Sequence, residues 1–130
     1  MRVEELAIFS QSPDSEHVFK LCSTMQWQAL QTSGSSLGSA DDTRDGYIHL
    51  STRQQVYGSF EKYFAAEHAS GETVWLLHCA LSRLPSDQLK FEASRAGMLF
   101  PHFYGALPLE SVVLAQQLVP AHPYAQPAAV

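Results

Sequence analysis

The stretch Asp45-Gly46-Tyr47-Ile48-His49-Leu50-Ser51-Thr52 decides the reading of this chain. Asp45-Gly46 is a turn dipeptide, and Tyr47 to Leu50 is a short apolar strand carrying one imidazole. Thr52 with Gln55 three residues on has capping-box spacing, so Ser51 and Thr52 mark a helix start. Val56, Phe60, Tyr63 and Phe64 then fall on one helical face, and the helix ends near Ala69-Ser70-Gly71. An imidazole at the seam between a buried strand and a helix start is a candidate functional group. The free N–H groups of the first turn add an anion-binding potential that any helix start shares. The segment Phe100-Pro101-His102-Phe103-Tyr104-Gly105 is its natural partner. If extended, it projects His102 and Tyr104 one way and Phe103 the other.

Working outward, Val18-Phe19-Lys20-Leu21-Cys22 reads as a strand whose single charge, Lys20, suits either a snorkelling edge position or a ligand contact. Ser23 and Gln26 have capping-box spacing for a helix with Trp27 and Leu30 on its stripe, stopped at Gly34. Residues 33 to 42, rich in Ser and Gly, read as a loop. Thr73 to Leu81 is a nearly continuous apolar run and reads as a central strand covered on both faces, with His78 inside it as a satisfied core or edge residue. In Gln88 to Glu92 the alternation points Leu89 and Phe91 to the core, with Lys90 and Glu92 on the other face. Ala93 to Leu99 is an irregular connection, and Ser111 to Val119 a last strand.

The expected organisation is a loose extension over residues 1–16, one domain over 17–119, and a disordered Pro/Ala-rich tail over 120–130. Strand, helix, strand, helix and then several strands imply an α+β domain with two main helices and a mostly antiparallel or mixed sheet. The chain has 130 residues, 45% hydrophobic and 16% charged, with a net charge of −5. It contains no lysine–arginine cluster to replace phosphate counterions, which argues against broad nucleic-acid binding. It contains no apolar run long enough for a membrane span. Cys22 and Cys79 read as reduced core thiols of a cytoplasmic protein.

His49, Glu92, His102 and Tyr104 are polar groups embedded in apolar segments, where burial is costly unless they pair or line a cleft. Each alone has a structural explanation; together they suggest a cleft. A metal site among His49, His78, Cys79 and His102 lacks the short spacings of known sites, so no metal is expected. No G-x-S-x-G elbow, P-loop or dinucleotide fingerprint is present.

Together Phe19-Lys20, Trp27, the 45–52 stretch, Gln55-Val56, Tyr63-Phe64, Leu89-Lys90-Phe91-Glu92 and Phe100 to Leu109 resemble the bacterial domain-of-unknown-function 952 family, over about residues 17–118. Family members usually carry Trp where Phe91 stands, and lack the long ends. The resemblance implies a distant similarity to the ADP-ribosyltransferase-like fold, a split sheet that grips NAD. His49-Leu50-Ser51 is similar to the histidine-leucine-serine block of RNA 2′-phosphotransferases of that fold. On that basis His49 would contact a ribose or phosphate, with Ser51 and Thr52 supporting it. Lys20 would stand near a first-strand ligand residue, Glu92 or His102 would fill the third catalytic position, and Tyr104 would stack on a base or nicotinamide. The implied activity is that of an NAD- or nucleotide-utilising transferase or hydrolase, with NAD as substrate. The competing readings are a non-catalytic binding module for a nucleotide-like small molecule and a small protein–protein adaptor.

Overall fold

The computed structural model describes residues 14–118, and the elements follow from the apolar runs. Strand β1 (His17–Ser23) pairs antiparallel with β4 (Val74–Ala80), which in turn pairs antiparallel with β8 (Val112–Leu118). The central strand of this sheet is the long apolar run, as its lack of polar alternation implied. Successive side chains alternate between two cores. Val18, Cys22, Leu77 and Cys79 join one with Leu30, Ile48, Leu50 and Phe103. Phe19, Leu21, Val74 and Leu76 join another with Val56 and Phe60.

A second antiparallel sheet consists of β3 (Ile48–His49), β6 (Leu99–Phe103) and β5 (Leu89–Ala93), in that order. A two-residue ladder joins β2 (Ser35–Ser36) to β7 (Leu107–Pro108). The two larger sheets are stitched together within four residues. Ile48 and His49 pair with Phe103 and His102. Leu50 N–H then donates to the Pro101 carbonyl at 3.0 Å, and Ser51 and Phe19 exchange backbone hydrogen bonds of 2.8 and 2.9 Å. Over the described residues the chain is an α+β fold with antiparallel sheets and four α-helices.

Helix α1 (Thr24–Ser33) carries the expected capping box, with both Ser23 and Gln26 bonds formed, and it stops at Gly34 in the left-handed conformation. The Ser/Gly-rich segment is a correction. Residues 33–42 are not merely a loop but hold β2 and the start of helix α2 (Ala40–Asp45), capped reciprocally by Ser39 and Asp42. A second correction concerns Thr52. Its N–H does donate to Gln55 Oε1 at 3.0 Å, but residues 53–55 form a turn and helix α3 starts only at Val56. The expected helix is also split. Helix α3 (Val56–Tyr63) ends where Phe64 leaves helical backbone, and helix α4 (Ala65–Ala69) follows.

Lys20 is no edge lysine. The β4 ladder flanks it on one side and the Phe19–Ser51 bridge on the other, and it is 9% exposed. Phe91 is the other correction, being 48% exposed. Its direction is as expected, since Leu89 on the same face packs on the core, but outer strand β5 runs past the core's edge. His78 is buried and satisfied, donating to Gln116 and standing edge-on to Phe19. Cys22 and Cys79 are buried free thiols, each pushed up by burial to about 12.

The expected 1–16 extension lies outside the described residues except for 14–16, and the 120–130 tail lies outside them entirely. Asp14 is tied to His17 and Arg53, whose hydrogen bonds, with that of the Glu16 backbone, overcome burial and hold its carboxyl down to about 2. Among the described residues no helix is long and apolar enough to cross a membrane.

Removing buried volume from the shared core should cost far more than trimming the β5 overhang. Leu77→Ala is expected to lose about 2–5 kcal/mol, whereas Phe91→Ala should stay near about 0.5 kcal/mol. Urea denaturation midpoints check this, and equal losses would mean that Phe91 is covered in solution.

Candidate functional site

The strongest electrostatic feature is a carboxylate with almost no contact with water. Asp42 is 2% exposed and sits at the third helical position of α2, where the cap turns it inward. Its Oδ2 accepts from Lys20 Nζ at 2.7 Å and from Ser39 N–H at 2.9 Å. Its Oδ1 accepts from His49 N–H at 3.0 Å and from His49 Nδ1–H at 2.6 Å. Burial works against the charge of Asp42, but the His49 bond and the Lys20 charge outweigh it. The carboxyl is thereby held well below the usual carboxylate range. Lys20 Nζ also donates to the His49 carbonyl at 3.2 Å. This network clamps the His49 backbone and ring together.

The outward nitrogen of His49, Nε2, lies 3.0 Å from Asp45 Oδ2. Arg44 grips the Asp45 carboxylate and keeps it below its ordinary value, and also pairs with Asp41. The His49 ring stands edge-on to His102 with centroids 5.7 Å apart. Tyr47 stacks on His102 at 4.0 Å and lies 4.7 Å from the His49 ring. His102 Nδ1–H donates to Glu92 Oε1 at 2.8 Å, and Tyr104 O–H donates to the same oxygen at 2.6 Å. These two bonds, Tyr104 first, hold the Glu92 carboxyl below its usual range, and the Glu92 bond pushes the Tyr104 hydroxyl up to about 12. Thus two imidazoles, each backed by a carboxylate, meet across the β3–β6 ladder.

They meet beside a cleft of about 580 Å³, within the roughly 300–1,000 Å³ typical of small-molecule sites. Of the candidate residues, Lys20, His49, Ser51 and His102 line it. Ser51 and Ser59 share a buried hydroxyl–hydroxyl bond of 2.8 Å in its wall. Thr52, Glu92 and Tyr104 are not among the lining residues. Glu92 reaches the cleft through His102, and Tyr104 through Glu92 and through the Tyr47 ring 5.2 Å away; Lys90 lies over the Tyr104 ring at 5.4 Å. His102 itself is 3% exposed beneath Tyr47, so His49 presents the more open imidazole of the two. Among the described residues no group of three or more His, Cys, Asp or Glu is placed to hold a metal ion.

Asp42, Asp45, Tyr47, Ser59 and Arg95 also line the cleft, though the sequence reading had not singled them out as site residues. Ser39-x-x-Asp42 does carry the capping-box spacing that would have flagged Asp42. Tyr47 stands two residues before His49, in the bend that leads into β3, and its ring lies beside the imidazole.

Breaking the buried pair from one side should be costly. Asp42→Asn leaves Lys20 charged and uncompensated, an expected loss of about 3–5 kcal/mol. Lys20→Met with Asp42→Leu removes the uncompensated charge but should still be less stable than the parent, because Ser39 N–H and both His49 donors lose their acceptor. The folded value of Asp42 lies below its unfolded value of about 3.9. Its contribution is therefore complete above that pH and fades as pH falls toward the folded value. The double variant should lose less stability than the parent between about pH 5 and pH 3. A residual slope remains from Asp14, Asp45 and Glu92, which are also held down. Urea titrations across that range check both statements, and a negligible cost for Asp42→Asn would mean the network is not formed.

The comparisons agree with this architecture. The family model described as protein of unknown function, DUF952, matches residues 21–115. The crystal structure of protein CC0527 from Caulobacter crescentus is 34% identical over 78% of this chain and 85% of that one, with a TM-score of 0.70. The solution NMR structure of the same protein is 34% identical over 79% and 84%, with a TM-score of 0.66. No curated protein matches the chain. Family match and structural similarity lead to one conclusion: the chain belongs to the DUF952 family of proteins of unknown function.

Proposed function

We propose that the cleft handles a nucleotide of the NAD class, as an ADP-ribosyltransferase-like transferase or hydrolase. The observation that carries this reading is the His49 ring, fixed from behind by buried Asp42 and Lys20 and opening onto a cleft of nucleotide-binding size. Aromatic surfaces for a base or nicotinamide come from Tyr47, Tyr63, Phe64 and Phe100 in the same lining. The charge balance suits a zwitterion. Lys20 is spent on Asp42 and Arg44 on Asp41 and Asp45, which leaves Glu67, Glu72 and Arg95 in the lining without an ion pair among the described residues. NAD likewise joins a cationic ring to an anionic pyrophosphate.

Transfer from NAD breaks the bond between the ribose and the nicotinamide nitrogen through an oxocarbenium-like sugar. Nicotinamide leaves with the bond's electron pair, and the sugar carbon then bonds to water or to an acceptor nucleophile, which gives up its proton to solvent. In this reading His49 hydrogen-bonds a ribose hydroxyl, and the Ser51–Ser59 pair supports the same sugar. Asp45, the carboxylate nearest the open edge of His49, stabilises the positive charge developing on the sugar. Glu92 acts through His102 and does not touch the sugar. A second reading has its own support. Both nitrogens of His49 already face carboxylates and His102 is nearly covered, which favours a module that binds the nucleotide without turning it over.

The test is a thermal shift with NAD and ADP-ribose, combined with an assay for released nicotinamide. At ligand about 100-fold above Kd the expected stabilisation is about 2.7 kcal/mol. His49→Ala should remove nicotinamide release by at least about 10²-fold while the protein stays folded. A shift without release selects the binding module. No shift with either nucleotide rejects both readings.

A further inference from the structure

Arg95 occupies an unusual position for a guanidinium. It follows Ser94 in the β5–β6 hairpin and lines the cleft together with that residue. The turn is fixed by Ser94 N–H donating to the Met98 carbonyl and Gly97 N–H donating to the Ser94 carbonyl, both at 2.9 Å. Ala96 adopts φ 58° there, a strained conformation for a residue with a Cβ. The other described arginines all have protein acceptors. Arg44 bonds Asp41 and Asp45, Arg53 bonds Asp14, and Arg83 bonds the Glu110 carbonyl. Among the described residues Arg95 alone has none. It is held instead by packing, with its guanidinium carbon 4.8 Å from the centroid of the Phe100 ring.

The neighbouring helix leaves room for this arrangement. Gly58 lies inside α3 with no positive φ to require glycine, and glycine costs up to about 1 kcal/mol against alanine at such a position. A Cβ there would come within 3.0 Å of Arg95 Nη2. The glycine therefore has a packing reason, which is to let the guanidinium lie against the helix. A planar cation stacked on an aromatic ring, with its N–H donors unspent and a cleft in front of it, has the geometry of a phosphate fork.

We infer that Arg95 is the anion-binding residue of the cleft, taking a phosphate or pyrophosphate group of the ligand. This rests on the nucleotide reading for the ligand's identity, but the anion site itself can be tested without it. It also orients the ligand, with the pyrophosphate toward the β5–β6 hairpin and the sugar toward His49. Glu67 and Glu72 share the lining and would oppose an anion placed beside them, which confines the phosphate to the Arg95 end.

The test uses the full chain, ¹⁵N-labelled, with the arginine Nε–Hε resonances followed during titration with inorganic pyrophosphate and, separately, ADP-ribose. Both should move the Arg95 resonance in a saturable way. Arg95→Gln should weaken both at least about tenfold, the scale of one charged hydrogen-bonding group, without lowering the melting temperature of the free protein. Arg95→Lys should fall between, since it keeps the charge but loses the fork and the stack. Gly58→Ala, whose methyl would only nudge the guanidinium, should weaken pyrophosphate less than Arg95→Gln does. If neither anion moves the Arg95 resonance, or if Arg95→Gln binds both as tightly as the parent, the inference is overturned. Pyrophosphate binding lost in Arg95→Gln, with no ADP-ribose binding and no nicotinamide release, would uphold the anion site and reject the NAD reading. ADP-ribose binding unchanged in Arg95→Gln would do the reverse.

Discussion

The buried carboxylate of Asp42 is the constraint on which the site depends. An ionised carboxylate removed from water is tolerated only when its oxygens are filled by good donors. Asp42 fills them from three elements: Lys20 on β1, Ser39 at the cap of α2, and His49 on β3. None of these can move without leaving a charge or a donor unsatisfied in the interior. The same four hydrogen bonds that make Asp42 tolerable therefore fix the position of the more open of the two cleft imidazoles. Stability and site geometry are here a single interaction.

That interaction explains the Ser/Gly-rich stretch before it. Gly38 has φ 88°, and a Cβ there would overlap the Asp42 carboxylate, so the backbone can wrap the acid only at a glycine. Ser36 Oγ accepts Gly38 N–H, and Ser39 Oγ accepts Asp42 N–H, so the small polar residues serve as local braces. Composition alone assigns such a segment to loop. Its function here is to bring backbone close enough to a buried charge to hydrogen-bond it.

Hence the sequence was legible where apolar pattern carries the information and opaque where burial is created by polar partners. The strands at 17–23 and 74–80 could be read because continuous apolar residues have few other uses, and α1 because Ser23 and Gln26 state its start chemically. His49 and His102 stood out because an imidazole in an apolar strand is conspicuous. Asp42 did not, since it lies among Ser, Gly, Ala and another Asp, where an acid normally faces solvent. The edge reading of Lys20 failed for the same reason: its partner was invisible. The Thr52 spacing predicted a cap, yet the side chain of Gln55 serves the Thr52 N–H while also donating to the Leu99 carbonyl, so its bonds close a turn before the helix begins. Phe91 failed differently, because alternation gives the direction of a side chain and not how far the core extends beneath it.

The two sides of the cleft differ in what holds them. His49 sits where β3 passes from one sheet to the other, with Leu50 bonded to Pro101 and Ser51 to Phe19 on either side of the transfer. Opening the cleft there would break main-chain bonds in both sheets as well as the Asp42 network, so that wall is preorganised and suited to fixing a reacting group. The Arg95 side is a hairpin overhanging the core, with Phe91, Met98 and Leu99 exposed and a strained Ala96 at the turn. Few buried contacts oppose its displacement, and local stability follows buried contacts. A ligand spanning the two would be positioned by the rigid wall and gripped by the adaptable one. If the proposed ligand binds, discrimination would belong to the His49 side and the strength of anion binding to the hairpin.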